Sequence, residues 1–109
     1  MTDINLTINT GKDGFSFNEI KVSGELKALI LNTDEKMGIK IVSEHGYLIY
    51  EDKELVGNQY IPLGVRVIDN AHHGSTSDMV NYCLNEKIQI NVTGPKEKEV
   101  DIIIRIKNI

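Results

Sequence analysis

The chain has 109 residues, 40% of them hydrophobic and 26% charged, which fits a single folded domain over 1–109 and excludes a disordered chain. The formal net charge of -4 lacks the basic footprint that phosphate backbones require. No apolar run approaches the roughly 20 residues that span a bilayer, so neither nucleic acid nor a membrane is an expected partner.

The first element is a strand. Ile4, Leu6 and Ile8 alternate with Asp3, Asn5, Thr7 and Asn9. The same stretch has no basic n-region and no apolar h-region, so secretion is not expected. The two Asn-x-Thr sequons, at Asn5 and Asn91, both fall in strand patterns and carry no expected glycan. "NTGKDG" reads as a turn. "FSFNEIKV" then places Phe15, Phe17, Ile20 and Val22 in a strand with an irregularity. In "SGELKALILNTDEKMG", helix and strand patterns compete. Leu26, Ala28 and Ile30 share one face of a strand, and the surrounding period favours that reading.

Strands follow at 38–43 and 47–51, separated by a turn at Glu44-His45-Gly46. Glu51, Asp52 and Glu54 read as a solvated loop. "QYIPLGVRVID" forms a further strand, in which Pro62 marks a start, a bulge or an edge because it has no N–H to donate. The last two strands are the clearest. Ile88, Ile90 and Val92 share one face; Val100, Ile102, Ile104 and Ile106 share another; Gly94-Pro95 and "KEKE" turn between them. Ile103 breaks the polar outer face and marks a candidate contact with a neighbour. Short strands joined by turns give an all-β domain, a single antiparallel β-sandwich of jelly-roll-like or Ig-like form. Its expected core includes Ile8, Val22, Leu26, Ile30, Val65 and Val67 with the isoleucines of the last two strands.

No constellation for catalysis emerges. Zinc needs three or four convergent ligands. Adjacent His72 and His73 in an extended chain point to opposite faces, so only an irregular loop could gather them with Asp69 and Asp78. "NAHHGSTSD" matches no recognised metal spacing, and its serines lack the G-x-S-x-G elbow. Cys83, the only cysteine, allows no intrachain disulfide and no thiolate cluster. No catalytic residue, cofactor or metal is expected, and the domain should act through its surface. Pro62, His72, His73 and Ile103 are the candidate interaction residues.

From Gly46 onward the chain resembles small structural proteins of tailed bacteriophages. Tyr60, Pro62, Val65, Val67 and Asp69 match their central Tyr-x-Pro strand. Ile88, Ile90, Val92, Gly94, Val100, Ile102 and Ile104 match their closing hairpin, and "VSGELKALIL" is similar to their early strand. The paired histidines and "VNYC" depart from that layout. The resemblance implies a non-enzymatic virion protein, made in the host cytoplasm. It would dock in multiple copies on capsid or neck/tail, with capsid decoration or stabilisation favoured. Its partners would be the major capsid, neck or tail protein, and it would form a homo-oligomer. The alternative is a ligand- or carbohydrate-binding β-sandwich module using Tyr47, Tyr50, Tyr60 or Tyr82.

Overall fold

A single 29-residue strand organises the molecule. In a computed structural model describing residues 1–68, 77–80 and 82–108, the elements are β1 (Thr2–Asn9), β2 (Phe15–Ser43), β3 (Leu48–Pro62), β4 (Val65–Ile68), β5 (Ser77–Val80), β6 (Cys83–Thr93) and β7 (Glu99–Lys107). There is no helix among the described residues. β2 pairs with three other strands along overlapping stretches of its length, and every pairing is antiparallel.

Residues 15–25 of β2 lie against one side of β6, and residues 38–43 lie against its other side. Residues 25–32 lie against β7. β3 follows β2 through the same bend, pairing through 48–55 with 37–42 and through 57–62 with 28–33. Hydrogen bonding is therefore continuous, but the sheet folds over on itself. One layer has the order β1, β7, middle of β2, end of β3. The other has the order start of β2, β6, end of β2, start of β3. With β2 counted as three strands and β3 as two, this is the strand order of an eight-stranded jelly roll. β4 and β5 form a separate hairpin inserted before β6.

Bends in a continuous strand need special backbone, and the sequence supplies it. Gly24 has φ of +136°, and a Cβ there would sit 2.6 Å from the Lys107 carbonyl oxygen. Only glycine lets β7 take over the strand edge at Glu25. Two residues later a bulge at Lys27 puts two residues of β2 against one of β7. The bulge carbonyl accepts the Leu63 N–H at 3.0 Å. At the second bend the Thr33 hydroxyl donates to the Glu35 carbonyl at 2.8 Å. Opposite it, Gly57 has φ of +80°.

Between the layers lies an aliphatic core. Ile8, Leu29, Leu31, Val100, Ile102 and Ile104 come from one layer; Val22, Ile39, Ile41, Ile88, Ile90 and Val92 come from the other. The bulge at Lys27 shifts the alternation by one, so Leu29 and Leu31 face inward and Ile30 faces out, the reverse of the expected arrangement. No irregularity interrupts 15–25; its register with β6 is unbroken. The expected strand through Pro62 and Val65 is instead two elements with a bend at Gly64. Glu51, Asp52 and Glu54 stand on β3 rather than in a loop. The side chains of Val65 and Val67 lie outside the described set.

Replacing Gly24 by alanine is expected to lower the unfolding free energy by about 2 kcal/mol or more, because the bend conformation is costly for any side chain and its carbonyl neighbour cannot retreat. Urea denaturation at neutral pH measures this. An unchanged midpoint would contradict the role given to this bend.

Candidate interaction surfaces

A sandwich offers two outer faces and four strand edges. The outer face of the β1–β7 layer carries a row formed by Asn5, Ile103, Ile30 and Tyr60, directly opposite one another across four strands. Tyr60 is exposed, and Ile30 and Ile103 are half-buried. Polar rows flank them: Thr7, Asp101, Asn32 and Asn58 on one side, Asp3 and Arg105 on the other. Ile30, Asn32, Asn58, Tyr60, Asp101 and Ile103 line a groove of about 390 Å³. Ile103 thus sits where the broken alternation suggested, at the floor of a surface depression. Pro62 is exposed at the end of β3, on the edge of the same layer.

Charge on this face is tied down. Arg105 donates from Nε to Asp3 Oδ1 at 2.9 Å and from a terminal nitrogen to Asp3 Oδ2 at 3.2 Å. This forked contact holds the Asp3 carboxyl below its ordinary value. At the end where β6 turns into β7, Lys98 Nζ lies 2.5 Å from Asp34 Oδ1, which lowers Asp34 in the same way.

The edges differ from one another. Along β3, residues 48–55 carry Glu51, Lys53 and Glu54 and two register shifts, and 57–62 end at Pro62. β1 presents Asp3, Asn5, Thr7 and Asn9. Charges, bulges and proline all discourage pairing with a foreign strand. The edge at the start of β2 has neither proline nor bulge, and it bears Phe15 and Phe17, which are 50% and 56% exposed. They are the only phenylalanines in the chain. Burying one ordinarily stabilises a fold by about 1.5–3 kcal/mol, yet the core takes neither. Unbroken alternation is the cause. Ile20 and Val22 occupy even positions facing the core, so odd-numbered Phe15 and Phe17 must face out. Beside them, Gly38 leaves a depression of about 430 Å³ whose lining includes Phe15, Lys40, Glu51 and Asn91. Asn91 Oδ1 in this wall has no hydrogen-bond partner.

A third cluster surrounds Glu86, whose carboxylate is only 8% exposed. His45 Nε2 approaches one of its oxygens at 3.0 Å, and the Tyr47 hydroxyl donates to the other at 3.4 Å. Burial, with the Glu86 charge nearby, pushes the Tyr47 phenol above its ordinary value. Tyr47 stacks on Tyr82 with ring centres 5.9 Å apart. Glu44 stands close enough to join His45 and Glu86 around a cation. The Ser43 hydroxyl borders the cluster, accepting the His45 backbone N–H at 2.9 Å, and the arrangement gives the buried Glu86 carboxyl its partners. Sequence reasoning missed it, because strand pairing alone brings His45 to Glu86. His72 and His73 lie outside the described residues.

Neither a protein-family model nor a curated protein matches the chain.

The ion pairs set an acid limb. Asp3 and Asp34 are held below 3.8 in the folded protein. Their contribution to stability is therefore present above the unfolded value and is lost as pH falls through the folded values. Asp3→Asn and Asp34→Asn should each lower the melting temperature slightly at neutral pH, since exposed pairs are screened. The difference from wild type should shrink as pH falls and vanish once both carboxyls are protonated in the folded chain as well. A difference that persists there would mean the substitutions act through packing.

Proposed function

We propose that the protein is a non-enzymatic structural subunit of a tailed-phage particle, docking in multiple copies on the capsid or the neck and tail, with decoration or stabilisation of the capsid favoured. The phage assignment rests on the sequence resemblance. The assembly role rests on one observation, the outward placement of Phe15 and Phe17 on an open edge that has neither proline nor bulge. Paired exposed aromatics of this kind supply anchors for a protein partner. Jelly rolls include viral capsid domains, which agrees with the reading at the level of fold. Many identical weak contacts on a symmetric shell sum to firm attachment.

The test is co-sedimentation with purified capsid, neck and tail proteins. The double variant Phe15→Ser, Phe17→Ser should reduce capture at least tenfold, with a melting temperature within a few degrees of wild type, because neither ring supports the core. Absence of wild-type binding to every particle protein would overturn the reading.

The groove on the β1–β7 face favours a second reading, a binding site for a carbohydrate. Tyr60 offers a ring for stacking, with Asn32, Asn58 and Asp101 as hydrogen-bonding groups beside it. A glycan array should then give hits that Tyr60→Ala abolishes; an array without hits removes this reading.

A further inference from the structure

The margin of β2 bearing the phenylalanines also carries a charge pattern that is incomplete in one chain. Gly14 accepts from the Gly94 N–H at 3.0 Å, and Leu26 donates to the Tyr82 carbonyl at 2.8 Å. The register with β6 between these points is unbroken. Even-numbered residues over this span therefore direct their backbone hydrogen bonds at β6, and odd-numbered residues direct theirs away from it. At Glu25 the outward groups meet β7. From Phe15 to Ser23 they meet no strand among the described residues, which leaves N–H and C=O groups available for an added strand.

Charge selects what fits there. Lys21 lies directly opposite Lys87 on β6, an unfavourable like-charge pair. The adjacent Glu19 is engaged by Lys87, with Nζ 3.5 Å from Oε1. Among the described residues no carboxylate lies within ion-pairing distance of Lys21. A second copy of the same strand, antiparallel about a twofold axis at Ile20, places Glu19 of each chain opposite Lys21 of the other. Phe17 then falls opposite Ser23, and pairing stops where β7 covers the edge at Glu25. An axis at Glu19 would oppose two glutamates, one at Asn18 would set Lys21 against Phe15, and one at Phe17 would set it against Asp13, in the turn before β2 begins.

We propose that the chain forms a twofold dimer through residues 17–23 of β2, joining two four-stranded layers into one eight-stranded sheet, with reciprocal Glu19–Lys21 pairs fixing the register. This rests on the multi-copy reading above and names one of its contacts, a second copy of this chain. The combined sheet keeps the four exposed phenylalanine rings on one outer face, available for the particle.

Sedimentation equilibrium of the full chain, without any particle protein, tests the dimer separately from particle binding. Glu19→Lys and Lys21→Glu should each weaken self-association by about tenfold or more, because two attractive contacts become repulsive. The double variant Glu19→Lys, Lys21→Glu should restore it. Ser23→Pro removes an N–H that the single chain does not use, and should abolish the dimer while leaving the melting temperature near that of wild type. A wild-type chain that stays monomeric, or a dimer that both single reversals leave intact, overturns the proposal. Particle capture would then decide the structural reading on its own.

Discussion

The constraint on which the structure depends is that one strand must serve two sheets. β2 hydrogen-bonds to β3, β6 and β7 in turn and passes from one layer to the other and back. The layers are therefore joined by a continuous hydrogen-bond ladder as well as by the apolar contacts between them. Such a ladder tolerates few alternatives. A slip of one residue would turn every inward side chain of a segment outward. The sequence answers with Gly24, the bulge at Lys27 and the Thr33–Glu35 contact, each at a place where the strand must bend or change phase. Gly24 and the Thr33–Glu35 contact lie where β2 changes layer, so loss of either would disturb both layers, whereas the bulge at Lys27 sets the phase within the β7 layer.

Most strands were legible because one buried face imposes a period of two. The β1 pattern and the closing β6–β7 pair follow from that rule alone, and so does the placement of Ile103 on an outer face. The bends were not legible. Alternation reports which side of a strand is buried, but it carries no mark of where a continuing strand crosses to another layer. The bulge at Lys27 shows the difficulty, since it exchanges the roles of Ile30 and Leu29 without altering composition. Near Phe15 and Phe17 an irregularity was inferred, because their odd spacing from Ile20 and Val22 breaks a common face. The regular register turns them outward instead. The Glu86 cluster had no local signature, because its members meet only through strand pairing.

The polar groups divide between holding the fold and presenting a surface. Glu86, Thr10, Thr33 and Ser43 are buried. Thr10 ties β1 to the turn before β7, its hydroxyl bonding Pro95 and Lys98. These side chains act inside the molecule. The outward ones, from the Tyr60–Ile103 row to the β2 edge, do little for packing. Their arrangement suits recognition of another molecule.

The aliphatic core has an optical consequence. The chain has no tryptophan, and none of its six aromatic rings belongs to the fully buried core among the described residues. Phe15, Phe17, Tyr47 and Tyr60 are exposed, while Tyr50 and Tyr82 only border the interior. The ultraviolet chromophores are therefore spread over the outside, and the interior is nearly dark. Absorbance and fluorescence of this protein report chiefly on its surface.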